Sequence, residues 1–403
     1  MTPQTPVRLG AALDGVGWHP ASWREDTVNA KRLADPEYWV ELAQTAERGL
    51  LDFLTIDDTL GLQFENFGLP DDRVDRVRGR LDSVLIASRV APRTRHIGLI
   101  PTAVVTHTEP FHLAKAIATL DFISAGRAGV RLKVDVAGTE VALFGRRDQP
   151  LLDPGEAGEA KLRGSLKTAM GEAADYGEVL HRLWDSWEDD AVIRDTTTGR
   201  FIDRKKLHHI DFEGEHFSVK GPLTVPRPPQ GQPLTGVLAH VTEVYRLAAD
   251  VADLVWFTPH SDNDIRGVCD ELAGFGAHFD RGDPLVKFGD LLVALDSHQE
   301  RGIDRLHRLD ELSGAPLTSD ARIFTGSPAE LADLIEAWTA AGLEGVRLRP
   351  ASNAVDLPLI SDALAPELRR RGLRPESYSA TTLRGHLGLD RPRSRYATPL
   401  EAS

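Results

Sequence analysis

Short apolar, β-rich runs alternate with segments of helical periodicity along nearly the whole chain. The first run, VRLGAALDG, is followed by DPEYWVELAQTAERG, in which Asp35 sits as an N-cap, Pro36 at the first helical position and Gly49 as a stop. Trp39, Leu42, Ala43 and Ala46 fall on one face of that segment. LDFLTIDD reads as the next strand, and RLDSVLIASRVAP as a helix whose apolar face runs through Leu81, Val84 and Leu85. HIGLIPTAVV is a third strand, followed by a helix on Leu113, Ala116, Ile117 and Leu120; AGVRLKVDV is a fourth strand. The rhythm resumes at PLTGVLA, with Val244, Leu247, Ala248 and Val251 on one helical face. DLVWFTP, PLVKFGDLLVAL and LEGVRLRPA complete the strands. Ser327, three residues before Glu330, predicts a capping box ahead of Leu331, Leu334, Ile335 and Trp338.

Strands that alternate with helices pair in parallel, because a parallel connection needs a crossover. Eight such units predict an α/β fold of the closed (β/α)₈ barrel, or TIM barrel, type. An open doubly wound sheet is the alternative, but no glycine-rich phosphate loop follows the first strand. Two stretches break the rhythm. Residues 188–232 are polar and rich in Pro and Gly and read as an ordered excursion or a lid. Residues 297–322 read as a second insertion of helical character. The reading is thus a single domain over 1–378 and an arm or disordered tail over 379–403.

Composition narrows the function. The chain has 403 residues, 41% of them hydrophobic, which supports a sizeable core. The formal charge of −14 argues against nucleic acid as a partner. No run is long and apolar enough for a membrane span and no signal-peptide pattern opens the chain. The single cysteine, Cys269, excludes an internal disulfide framework and fits a cytoplasmic location. The basic cluster Arg369, Arg370 and Arg371, with Arg374 nearby, reads as a solvated helix C-terminus.

A barrel of this kind carries its chemistry where the strands end. That rule collects Asp14 and the loop GWHPASWR after the first strand, Asp57 and Asp58 after the second, and Thr102, Thr106 and His107 after the third. The fourth strand offers Arg131, Lys133 and Asp135; later strands offer His240, Thr242, Thr258, His260, Arg347 and Arg349. A metal set drawn from His19, Asp58, His107 and His260 has no ligand spacing to support it, and no metal is expected. Indoles and guanidiniums in one mouth suit a planar, phosphorylated ligand.

HPASWR, YWVELAQTAERGLLDFLTIDDTL, HIGLIPTAVVTHTEPFHLAKAIATLDFISAGRAG, LWDSWEDDA and HIDFEGEHFSVKGPLTVPRPPQGQP recur in this order up to about residue 235. In these stretches the chain resembles the bacterial-luciferase-like flavin-dependent monooxygenases, in the branch of nitrilotriacetate, EDTA and dibenzothiophene-sulfone monooxygenases. The resemblance implies an oxidoreductase on a TIM barrel that uses reduced FMN from a separate flavin reductase, and O₂, to oxidise a small organic substrate. It also implies a homodimer or homotetramer. By position it assigns Asp58, Thr106, Arg131 and Thr242 to the cofactor, His19 and His107 to catalysis, and Trp18 and Arg24 to the substrate pocket. Asp58 has a second reading as the cap of the following turn, and Arg24 as a holder of its loop.

Three departures stand out. The family's TAST pattern is TAVVTHT here, so Val104 and Val105 replace small polar positions. GRSGWNIVTS is GRAGVRLKVDV here, which puts Arg131 at the Asn position and Val134 and Asp135 at the Thr-Ser pair. AGSS is Ala239-His240-Val241-Thr242, and Met170 stands near the place of a family Tyr. These changes leave two alternatives open: a deazaflavin-dependent oxidoreductase on the same barrel, or a non-catalytic flavin- or ligand-binding protein.

Overall fold

A computed structural model describes residues 6–25, 30–63, 71–136, 138, 140–145, 159–279 and 283–397. Eight parallel strands close into a barrel: β1 (Arg8–Leu13), β2 (Phe53–Ile56), β3 (Gly98–Val104), β4 (Gly129–Lys133), β5 (Leu234–Leu238), β6 (Leu254–Phe257), β7 (Val286–Leu295) and β8 (Gly345–Pro350). Each pairs with the next, and β8 closes on β1 with Arg8 opposite Gly345 and Ala11 opposite Leu348. A further short strand, Arg322–Gly326, pairs in parallel with the C-terminal half of β7.

The helices that cover the barrel are α1 (Pro36–Arg48), α2 (Ser83–Val90), α3 (Pro110–Ile123), α4 (Glu159–Asp185), α5 (Thr242–Val251), α6 (Asp262–His278), α7 (Gly302–Ser313) and α8 (Pro328–Ala340). The predicted starts hold: Asp35 accepts from the Glu37 N–H, and Ser327 and Glu330 form the capping box. The predicted apolar faces of α1, α3, α5 and α8 are buried or half-buried. In α2 the face is rotated. Ile86, Ala87 and Val90 point inward, while Leu81 and Leu85 are exposed, Leu85 at 69%. The 27-residue α4 was not among the predicted helices, although Tyr176, Val179, Leu180 and Leu183 carry its period.

The barrel interior is layered. At the N-terminal end Phe53 meets Phe288 edge-on at 5.1 Å and Trp256 at 6.0 Å. Gly10 and Gly236 make room for these rings: a Cβ at either would lie within 2.4 Å of Phe53 or Trp256. Leu383, Leu387 and Leu389 close this floor from outside, so residues 383–389 pack as part of the domain. Residues 398–403, the end of the expected tail, lie outside the described residues. Above the floor the layer is ionic. The register sets Asp290 opposite Arg347, and Asp290 accepts from Arg347 Nε at 2.7 Å and Arg349 Nε at 2.9 Å. Burial opposes ionisation of Asp290, but the two guanidiniums outweigh it and hold the carboxyl below its usual range.

The 188–232 excursion is ordered as two small hairpins beside α4. Arg227 anchors it on Asp185 at 2.9 Å and on the Pro392 carbonyl at 2.8 Å. None of its residues lines the large mouth cavity described below, so it packs as a buttress and not as a lid. The 297–322 insertion supplies α7 and one wall of the mouth. Arg369–Arg371 lie at a helix end, as expected; Arg370 pairs with Glu367, Arg371 with Glu367, Asp333 and Glu336, and Arg369 with Glu376. Arg374 differs: it is buried and donates to Asp52 and the Val7 carbonyl, each at 2.8 Å. Among the described residues no helix is long and apolar enough to cross a membrane.

Candidate active site at the barrel mouth

The parallel sheet sends every strand's C-terminal end to one mouth, and the polar residues predicted there meet in three groups. The first lies at β2 and β4. Arg131 and Asp57 pair at 2.7 Å; Arg80, which precedes α2, bridges Asp57 at 3.3 Å and Asp14 at 2.6 Å. Burial would raise the Asp57 carboxyl, yet the charges of Arg131, Lys133 and Arg80 outweigh burial and keep it ionised. Lys133 Nζ donates to the Asp58 carbonyl at 2.8 Å, and burial lowers its ammonium from the usual value. The Asp58 carboxylate itself accepts from the Thr59 N–H at 2.7 Å and the Ser83 N–H at 2.9 Å, which is the capping geometry. Burial nevertheless pushes it up to about 6.

The second group links the loops after β3 and β4. Thr106 Oγ1 accepts from the Asp135 N–H at 2.9 Å, and His107 Nε2 meets Asp135 Oδ2 at 3.1 Å. The His107 ring stacks on Phe144, centroids 5.2 Å apart. Asp135 therefore orients His107 and not Lys133, its neighbour two positions back. Glu140 accepts from the Leu60 N–H at 2.8 Å and the Gly61 N–H at 3.1 Å, tying the β4 loop to the β2 loop. His107, Asp135 and Glu140 present ligand-type atoms within 4.8 Å of one another. Both carboxylates accept backbone N–H groups, and Glu140 Oε2 is buried without a hydrogen-bond partner among the described residues.

The third group is the β1 loop. Trp18 donates from Nε1 to the Ala12 carbonyl at 2.7 Å, with the Arg349 guanidinium 4.8 Å over its ring. His19 is buried. Its Nδ1 accepts from the Ala21 N–H at 3.0 Å, which leaves the proton on Nε2, donated to Asp310 of α7 at 3.1 Å. Both ring nitrogens are thus engaged. Arg24 donates to the Leu312 carbonyl at 2.6 Å and lies against Trp23, a loop-holding geometry. Thr242 is exposed as the first residue of α5, and neither it nor Val241 caps the helix with a side chain.

Two cavities open among these groups. A slot of about 190 Å³ runs between β4, β5, α4 and α5, with Arg131 and Lys133 beside Val134, Met170, Leu238 and Val244. A larger cavity of about 450 Å³ lies between the β1 loop, the segment before α2 and residues 313–318. Arg76, Arg80, Asp310 and Glu140 were missed from sequence. Arg76 and Arg80 follow β2, where the strand-end rule already pointed; Asp310 and Glu140 reach the mouth only through tertiary folding.

A closed parallel barrel with charged side chains, an apolar slot and a large cavity all at its C-terminal mouth has the architecture of an enzyme. The family model of the luciferase-like monooxygenases matches residues 17–308, and the chain belongs to that family. It is an oxidoreductase of the monooxygenase class. N-acetyl-S-(2-succino)cysteine monooxygenase of Bacillus subtilis is 28% identical over 97% of this chain and 98% of that protein. Nitrilotriacetate monooxygenase component A of Aminobacter aminovorans is 28% identical over 98% of each. The EDTA monooxygenase of Chelativorans sp. BNC1 superposes with a TM-score of 0.79 at 23% identity, covering 96% of this chain and 99% of that one.

Proposed function

We propose that this chain is the oxygenase component of a two-component system, taking reduced FMN from a separate flavin reductase and using O₂ to oxidise a small organic substrate. The observation that carries the cofactor reading is the slot between β4 and β5. Its walls are apolar, Arg131 and Lys133 border it with their charged ends held on Asp57 and the Asp58 carbonyl, and Val244 of the uncapped first turn of α5 lines it. An aromatic ring fits between such walls, and a phosphate is stabilised by the free N–H groups and positive dipole end of a helix start. Val134, Met170, Leu238 and Val244 would enclose the ring; Thr242 and the α5 backbone would take the phosphate. Arg131 and Lys133 replace lost neutral donors with positive charge, which favours an anionic ligand over a neutral one. Bound reduced FMN supplies the electrons that activate dioxygen. His107, fixed by Asp135 and Phe144, is the imidazole placed for proton transfer at the same mouth. That one relative is called component A agrees with a partner that delivers the reduced cofactor. The same reading takes the chain as a cytoplasmic homodimer or homotetramer.

Anaerobic titration with reduced FMN, and in parallel with a reduced deazaflavin, tests the reading. Saturable binding of reduced FMN in preference to the deazaflavin is expected. Preference for the deazaflavin would transfer the chain to hydride-transfer chemistry, and affinity for neither would leave a ligand-binding protein without flavin.

A further inference from the structure

The loops after β3 and β4 bring three side chains of metal-binding type together: His107 from the first, Asp135 and Glu140 from the second. One ligand atom from each lies within 4.8 Å of the other two. Of the metal set weighed from sequence, only His107 belongs to this cluster.

Glu140 carries the decisive observation. It is 4% exposed. Its Oε1 is fully used, accepting from the Thr59 hydroxyl and from the Leu60 and Gly61 N–H groups. Its Oε2 is buried with no hydrogen-bond partner among the described residues. A buried carboxylate oxygen without a donor or a cation costs free energy, more than a neutral oxygen does. Lys133, whose charge is felt at Glu140, donates from Nζ to the Asp58 carbonyl instead.

The rest of the cluster is built as a ligand set. His107 Nε2 and Asp135 Oδ2 are 3.1 Å apart. Metal bonds of about 2.0–2.2 Å set neighbouring ligands about 3 Å apart, so a cation can take the place of the proton these two share. Asp135 is oriented by the Gly138 N–H at 2.9 Å and the Glu140 N–H at 3.0 Å, and the His107 ring by its stack on Phe144. Outer bonds of this kind fix the direction of metal ligands. Val134 and Val136 line the slot between β4 and β5, while Asp135 between them turns to His107; none of the three cluster residues lines the slot.

We infer that His107, Asp135 and Glu140 bind one divalent transition-metal ion, which clasps the loops after β2, β3 and β4. One imidazole with two carboxylates suits Mn²⁺, Fe²⁺ or Zn²⁺, whereas Ca²⁺ and Mg²⁺ prefer all-oxygen sets. The site does not rest on the flavin reading. It bears on that reading in one respect: the ion takes the His107 Nε2 lone pair, so proton transfer by His107 belongs to the metal-free chain.

Mn²⁺ alone, added to the chelator-treated full-length protein without flavin, tests the site. Electron paramagnetic resonance counts one bound Mn²⁺ per chain, and electron spin echo modulation finds one imidazole nitrogen coupled to it. Glu140→Gln keeps an oxygen for the Thr59, Leu60 and Gly61 donors, so without metal it melts near the wild-type temperature. It binds Mn²⁺ at least about tenfold more weakly. His107→Gln abolishes the nitrogen coupling. Saturating Mn²⁺ raises the melting temperature of the wild type and not that of Glu140→Gln. No stoichiometric binding, bound Mn²⁺ without a coupled nitrogen in the wild type, or wild-type affinity in Glu140→Gln would overturn the inference. The first two results are read on the wild type, so they decide the matter even where a variant does not fold.

Discussion

Ending the chain after Thr381 is expected to prevent folding. The lost segment carries Leu383, Leu387 and Leu389, which seal the apolar floor against Phe53, Trp256 and Phe288. Leu383 is fully buried and presses so closely on Gly98 that a Cβ there would sit 2.3 Å from its Cδ1. Arg384 adds a 2.9 Å bond to Asp253 at the foot of β6, and its backbone N–H is taken by Gln230 at 2.9 Å. Removing one buried leucine typically costs about 2–5 kcal/mol. Three removed together approach the whole stability of an ordinary domain, about 5–15 kcal/mol. The single substitution Leu383→Ala keeps the effect measurable. It should lower the urea-unfolding free energy by about 3 kcal/mol at neutral pH. A truncated chain that melts with the full-length one would contradict the floor assignment.

Arg131→Met is expected to damage both stability and cofactor binding. Arg131 is buried and neutralises Asp57 at 2.7 Å; Arg80 reaches the same carboxylate only at 3.3 Å and also serves Asp14. Taking one partner from a buried pair costs up to about 3–5 kcal/mol; Arg80 and Lys133 still face Asp57 and hold the loss toward the lower end of that range. The double variant Arg131→Met with Asp57→Asn removes the Asp57 charge as well and should recover much of the stability. It should not recover affinity for reduced FMN, because the rim charge of the slot is still gone. Thermal unfolding and anaerobic titration of the two variants read the effects separately. Recovery of affinity in the double variant would assign Arg131 to folding alone.

Much of this was legible in the sequence, for a physical reason. Each βα unit buries a local face with local caps, so Asp35, Ser327 and the apolar spacing of α1, α3, α5 and α8 mark their elements without reference to the rest. The face of α2 was misplaced because Leu81 and Leu85 are exposed, and periodicity alone does not say which apolar residues the barrel covers. The role of the tail was hidden because its partners come from β2, β3, β5, β6 and β7 at once. At the site, the strand-end rule gathered Arg131, Lys133 and the β1 loop. It could not foresee that His19 would be closed off by Ala21 and Asp310, or that Asp135 would turn to His107. Those pairings depend on how separate loops meet above the barrel.

The central claim is a location: flavin between β4 and β5, phosphate at the start of α5. A crystal structure of the protein soaked anaerobically with reduced FMN measures it directly. The account predicts ring density between Val134, Met170 and Val244 with the phosphate on the Thr242 backbone and hydroxyl. Ring density in the large cavity against Trp18, with the slot closed, would contradict it.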